Sequence, residues 1–327
     1  MTGPPEAMPH TIVHYVLRFT GKHQAGLALL SVAVFMLSAV PLELQRRIVN
    51  TIVDKGAFAT VMALALAYAG VALVEQSLKL GLNVYRGWVA EDSVRRLRVL
   101  VGRHHALEHS AAVTGVEVSM ILEEVEPIGG FAGVAVSEPL LQGGILASVV
   151  SYMLYLDASL ALLGLAFFLP QLVFVPRMQG AINRRAQARI LTKRGLSGRV
   201  IEAAGGASDG DWKWAKAPIE RVFSLNMGIY KLKFSMNLLM NLMHHSAVAV
   251  ALGVGGWQVL QGQIEIGTVV AIVGGLGKLN DPWGDLVNWA RELSVVDVKY
   301  RLFADVVNRT DVPSAMQPEH PSLKAPA

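Results

Sequence analysis

The sequence has no cysteine and little charge. Without cysteine, disulfides, thiol nucleophiles and thiolate metal sites are excluded, although the compartment is not identified. Charged residues make up 17% of the 327 residues, against about 25% in soluble domains. Hydrophobic residues make up 53%, and the mean hydropathy is +0.43. This composition favours a protein that is embedded in lipid.

A phosphate-binding loop is also missing. The pattern Gly-x-x-x-x-Gly-Lys-Ser/Thr cradles phosphate with backbone amides and holds magnesium with its hydroxyl. The nearest approach ends at Gly277-Lys278, but Ile272 occupies the first glycine position and Leu279 offers no hydroxyl. We interpret these glycines as packing positions in a membrane helix. The chain is therefore expected to hydrolyse no ATP on its own and to bind no cofactor directly.

Metal ions and nucleic acids are not expected partners either. His105 and His109 lie four residues apart, a spacing that suits zinc, but the glutamate of the pattern His-Glu-x-x-His is absent. The net charge is +4 and the pI is near 9.3, yet the basic residues lie in particular loops instead of one continuous patch. They indicate membrane topology.

Long apolar runs divide the chain evenly. A helix that crosses the hydrocarbon core needs roughly 20 mostly apolar residues. Five runs qualify: residues 25–42, 57–74 with a continuation towards 85, 129–156, 158–176 and 234–264. A sixth run, 266–277, is followed within a helical pattern by Lys278, Asp281 and Asp285. We predict an all-α membrane protein with six transmembrane helices.

Lysine and arginine set the predicted orientation. Loops rich in these residues stay in the cytoplasm. Residues 86–103 carry five of them and residues 177–233 carry twelve, whereas the turns at 157 and 261–265 carry none. Three cations between the first two spans, Arg46, Arg47 and Lys55, oppose this orientation. On balance we expect both termini in the cytoplasm and the chain in a bacterial inner (plasma) membrane.

The predicted cytoplasmic segments read as two long helical hairpins. Residues 86–126 and 177–233 are polar but keep a helical period, and helix-breaking stretches lie at 113–115 and 205–210. Residues 1–24 are predicted to form an amphipathic N-terminal elbow on the inner leaflet. Residues 25–307 then form the transmembrane domain, and residues 308–327 a cytoplasmic tail or linker.

This layout resembles the transmembrane domain of type I ABC exporters, over residues 10–307. In that family the first hairpin reads roughly Thr-Gly-Glu-Leu-x-Ser-Arg-x-x-x-Asp-Val. Here residues 114–120 read Thr-Gly-Val-Glu-Val-Ser-Met and lead to Glu124-Val125, so Met120 replaces the family's arginine and Glu124 its aspartate. Further similarities are Gly255-Gly256 before the sixth helix and Asp281-Pro282 within it.

The resemblance implies a mechanism in which two transmembrane subunits pair as a homodimer or heterodimer. Coupling helices at the hairpin tips, near 106–113 and 207–216, would insert into a nucleotide-binding subunit that carries ATP and magnesium. Candidate coupling residues are Glu108, His109, Thr114, Gly115, Asp209, Asp211, Trp212 and Trp214.

Polar groups within the spans are candidates for a substrate cavity, because ionisable residues in a membrane are costly. Glu75 and Lys79, four residues apart, either neutralise each other or contact substrate. The fifth span carries side chains that either bond between helices or face substrate. The candidate set is Glu75, Lys79, Glu138, Asn237, Asn241, His244, Lys278 and Asp281.

We therefore expect the permease subunit of an ATP-driven exporter, without a fused nucleotide-binding domain. Its substrate would be a hydrophobic or amphipathic small molecule, lipid or peptide. Two alternatives stay open: a non-transporting membrane sensor or regulatory scaffold with the exporter fold, and a fragment of a full-length half-transporter.

Overall fold

The described part of the chain folds into ten helices. This computed structural model describes residues 8–107, 115–202 and 213–310, and no strand occurs within those ranges. The helices are α1 (Ile12–Leu37), α2 (Val40–Val53), α3 (Phe58–Leu107), α4 (Gly115–Val134), α5 (Ser137–Leu156), α6 (Ala158–Ala166), α7 (Leu169–Glu202), α8 (Lys213–Leu260), α9 (Ile266–Gly277) and α10 (Asn280–Thr310).

Five helical segments are long and apolar enough to cross a membrane. Since a helix satisfies its own backbone hydrogen bonds, such segments are stable in lipid. The chain is thus an all-α membrane protein. Within the described ranges these segments are Ile12–Val53, Phe58–Leu100, Val125–Leu156, Ala158–Ser197 and Trp214–Leu260.

The predicted sixth span corresponds to α9 and the beginning of α10. Helix α9 carries no charged residue but has only 12 residues, which is shorter than the roughly 20 that a bilayer requires. Helix α10 follows after a two-residue break, but it is rich in charge. Hydropathy of α9 and α10 therefore does not by itself identify a sixth crossing.

Four of the breaks between consecutive helices lie shortly before a proline. A proline has no N–H for the helix and disfavours helical geometry in the preceding residue. Three other prolines, Pro127, Pro176 and Pro218, lie inside helices without ending them, so a proline permits a break without dictating one. The breaks at 38–39, 135–136, 167–168 and 278–279 each lie two to four residues before a proline: Pro41, Pro139, Pro170 and Pro282.

The break before Pro139 shows how a freed carbonyl is satisfied. Without the Pro139 N–H, the carbonyl of Ala135 lacks its partner four residues later in the chain. The indole Nε1 of Trp289 donates to this carbonyl at 3.2 Å. A side chain of α10 therefore closes the gap in the backbone of the α4–α5 segment.

The described part of the predicted N-terminal elbow includes the first turns of α1. Helix α1 runs unbroken from Ile12 to Leu37, so the predicted boundary at residue 24 does not coincide with a helix end. Its first turns are buried against α3, α4 and α10, with Ile12 and Tyr15 next to Tyr300 in one apolar core. Burial of these apolar side chains stabilises this end of α1.

Two compact units result from the helix packing. Unit 1 comprises Met1–Pro41, Leu66–Ser148 and Asp281–Ala327, and unit 2 comprises Leu42–Ala65 and Val149–Asn280. In unit 2 glycine permits close approach: a Cβ on Gly275 of α9 would lie 2.7 Å from the Met153 sulfur of α5. Gly275 belongs to the run that distantly resembles a phosphate loop, and here it lies inside a helix and packs.

Candidate functional site

A buried ion pair joins α3 and α5 in unit 1. The Nη1 atom of Arg86 lies 2.6 Å from Oε2 of Glu138, and the two side chains are only 10% and 17% exposed. Arg86 Nε also donates to the Ser137 hydroxyl at 2.8 Å. Ser137 and Glu138 form the first turn of α5, directly after the proline-associated break. Two opposite charges thus neutralise each other between two helical segments that are long and apolar enough to cross a membrane.

Gln142 extends this pair to α10. Its Nε2 donates to Glu138 Oε1 at 2.8 Å and to Asp285 Oδ2 at 3.0 Å. We call the set Arg86, Ser137, Glu138, Gln142 and Asp285 the polar network. It contains two carboxylates and one guanidinium, so one negative charge is in excess when all three are ionised. Asp285, at its outer end, is solvent-exposed.

Arg86 is a functional candidate that the sequence analysis assigned only to the basic cytoplasmic segment. The helical period contains a signal that identifies it. Glu75, Lys79, Leu82 and Arg86 follow one another at spacings of four, three and four, which places them on one helix face. Leu82 is completely buried and Arg86 is 9% exposed. A charge on a buried face requires a partner, and Glu138 supplies it.

Glu75 and Lys79 pair with each other. Their Oε1 and Nζ atoms are 2.7 Å apart on α3, with Glu75 8% and Lys79 33% exposed. Of the two interpretations open from the sequence, mutual neutralisation has direct geometric support. Such a pair lowers the cost of placing both charges at membrane depth.

The other cavity candidates are divided between the two units. Asn237 and Asn241 on α8 are exposed, and His244 is half-buried. Lys278 caps the C-terminus of α9, while Asp281 is an exposed residue in the first turn of α10. Glu75, Lys79, Glu138 and Asp281 belong to unit 1, whereas Asn237, Asn241, His244 and Lys278 belong to unit 2.

Most of the predicted coupling residues lie outside the described residues. These are Glu108, His109, Thr114, Asp209, Asp211 and Trp212. Gly115 begins α4. Trp214 lies in the first turn of α8 and, with Arg199 and Arg221, lines a cavity of about 550 Å³ between α7 and α8.

A second charged cluster contains two of the cations that oppose the predicted orientation, Arg46 and Arg47. In unit 2, Arg46 donates to both carboxylate oxygens of Glu43, at 2.9 and 3.0 Å, and to Glu265 at 3.1 Å. Arg47 also donates to Glu43, at 2.5 Å. Two arginines thus face two glutamates.

The same cluster joins three helices. Tyr152 of α5 donates to Glu43 at 2.6 Å. Asn50 of α2 donates to Glu265 and accepts from the Gly267 amide at 2.8 Å. We call these residues with Arg46 and Arg47 the outer clasp, because the predicted orientation places them at the outer membrane face.

The described residues of the two units offer no evident metal centre. Within residues 8–107, 115–202 and 213–310, no group of three His, Cys, Asp or Glu side chains is placed to hold a metal ion.

No protein-family model matches the sequence, and comparison with curated proteins gives no significant match.

Proposed function

We propose that this chain is the permease subunit of an ATP-driven ABC exporter, and that it crosses the membrane six times with both termini in the cytoplasm. The observation that carries the proposal is the length of its helices. With 50 and 48 residues, α3 and α8 are about 75 and 72 Å long. The hydrocarbon core needs only about 30 Å. Long, polar helical extensions beyond the bilayer favour a protein that meets a partner in the cytoplasm.

A second transmembrane subunit is part of the proposal. On α8 four large apolar side chains, 51–64% exposed, lie within one narrow stripe of the helix: Ile219, Phe223, Tyr230 and Phe234. Three of these residues, Ile219, Phe223 and Tyr230, lie in the basic segment 177–233 that we expect in the cytoplasm. Lipid therefore does not cover the whole stripe. A partner subunit is the simplest cover, because exposed apolar patches of this kind mark interaction surfaces.

The substrate pathway is proposed to include the polar network. Asp285 presents a carboxylate on the exposed side of α10, and Gln142 links it to Glu138, which pairs with Arg86. Charged residues in spanning proteins face a water-filled cavity or a partner far more often than lipid. The spans around the polar network are apolar. The proposed substrates are therefore hydrophobic or amphipathic solutes.

Energy is proposed to come from a separate nucleotide-binding subunit that carries ATP and magnesium. The coupling contacts would lie at the tips of the two hairpins, near 106–113 and 207–216. Trp214 is the described residue best suited to such a contact, because it lies in the first turn of α8 beside two arginines. Aromatic and arginine side chains are favoured anchors of protein interfaces.

The test is to purify the tagged chain from its native membranes and to measure ATP hydrolysis and vesicle flux. We expect hydrolysis from the complex and none from the chain after its partners are stripped. Trp214→Ala should weaken coupled hydrolysis, whereas Trp257→Ala, at the opposite end of α8, should not. ATP hydrolysis by the stripped chain would contradict the proposal. Coupled hydrolysis without flux of any tested compound would favour a regulatory scaffold.

A further inference from the structure

Two helix breaks face one small cavity in unit 2. The α6–α7 break at Phe167 and Phe168 precedes Pro170, and the α9–α10 break at 278–279 precedes Pro282. Phe167, Phe168 and Leu279 all line the cavity. Around both breaks the backbone uses tighter bonds to the third residue back, such as Phe168 N–H to the Leu165 carbonyl at 2.8 Å. The cavity thus lies where two broken helices meet.

Three polar side chains occur in the lining of this cavity: Gln171 of α7, His244 of α8 and Asn280 of α10. The rest of the lining is apolar and includes Leu276 and Leu279, which are 4% and 1% exposed. Of these three residues, only His244 was predicted from the sequence as a candidate for the substrate cavity. The three residues come from three different helices, so a common partner would tie those helices together.

Gln171 needs such a partner. It is 1% exposed, and its Oε1 atom has no hydrogen-bond partner within the part of the chain that the structure describes. Buried polar atoms in folded proteins are almost always paired, with protein groups or with ordered water, because an unpaired acceptor loses its hydration without compensation. Gln171 therefore indicates a ligand that donates a hydrogen bond.

The size of the cavity decides which ligand. Its volume is about 10 Å³, and a cavity of roughly 10–15 Å³ on this measure holds a single water molecule. No transported solute fits. A buried water also needs two to four polar partners, and Gln171, His244 and Asn280 supply three.

We propose that this cavity binds one structural water, which donates to Gln171 Oε1 and bonds to His244 and Asn280. The water joins the two broken helices through α8. This site does not depend on the proposed transport function, because it follows from the cavity and from Gln171 alone.

X-ray radiolytic footprinting of the whole protein in lipid nanodiscs tests the site. Radiolysis turns bound water into hydroxyl radicals, which oxidise the side chains next to it. Leu276 and Leu279 line the cavity and should be oxidised in spite of their burial. Leu160, which is 0% exposed in the same unit and does not line the cavity, is the matched control and should stay unmodified.

Gln171→Met then tests the role of the acceptor, because methionine has a similar size but binds no water. Oxidation of Leu276 and Leu279 should fall to the level of Leu160. Labelling of the two leucines in the unmodified protein no higher than that of Leu160 would overturn the proposal, whether or not the variant folds. Equal labelling in the unmodified protein and in a folded Gln171→Met variant would show that Gln171 does not hold the water.

Discussion

Removing one partner of the Arg86–Glu138 pair should destabilise the protein more than removing both. Arg86→Met leaves the Glu138 carboxylate, only 17% exposed, with Gln142 as its remaining hydrogen-bond donor. Uncompensated burial of a charge costs about 3–5 kcal/mol. Glu138→Gln leaves a buried guanidinium and should cost a similar amount. The double variant buries no net charge at this position, and we expect it to cost about 1–2 kcal/mol, close to the value of the lost hydrogen bonds.

The assay is the free energy of unfolding in mixed detergent micelles with increasing dodecyl sulfate, followed by circular dichroism for all four proteins. The exposed pair Arg98–Glu126 provides a matched control cycle: it also joins two helices of unit 1, at 2.7 Å, but its side chains are 43% and 66% exposed. Its cycle should give a coupling below about 1 kcal/mol. If the Arg86→Met and Glu138→Gln effects simply add in the double variant, the two side chains do not neutralise each other as described.

Two further changes probe the close contacts. Gly267→Ala places a Cβ against the Asn50 amide oxygen in the outer clasp and should lower the free energy of unfolding by about 1–3 kcal/mol. Gly256→Ala, with no atom within 4 Å of its Cβ, is the control. Equal thermal midpoints for the two variants would argue against the clasp. Trp289→Phe removes the donor to the Ala135 carbonyl and should lower the free energy of unfolding by about 1–3 kcal/mol; an unchanged value would mean that another group already satisfies this carbonyl.

The sequence was sufficient for five of the spans, because hydropathy over a long run records helix length and apolarity together. It was not sufficient for the helix ends. Nothing in the composition of residues 12–24 shows that Tyr15 packs on Tyr300, almost the whole chain length away. The predicted elbow boundary therefore fell inside α1. The sixth span stays a proposal, because α9 is too short and α10 too charged for hydropathy to decide.

Only part of the polar network could be predicted from the sequence. Glu138 was recognised as an acid in an apolar run, whereas Arg86 was counted with its basic neighbours on the sequence. A count of charges treats all of these arginines alike, and only the helical period separates the buried Arg86 from the exposed Arg95 and Arg96. To predict that Arg86 pairs with Glu138, one must also know how α3 and α5 are aligned against each other. The periodicity of a single helix does not give this alignment.

Membrane topology tests the central claim most directly, because the proposed coupling requires both hairpins and the end of α10 on the cytoplasmic side. The sequence has no cysteine, so single cysteines can be introduced without removing others. In sealed right-side-out vesicles, Gln263→Cys should react with a membrane-impermeant maleimide, whereas Lys193→Cys and Lys299→Cys should react only after permeabilisation. Reaction of Lys299→Cys in sealed vesicles would exclude a sixth crossing, and reaction of Lys193→Cys would contradict the cytoplasmic hairpin on which the permease proposal rests.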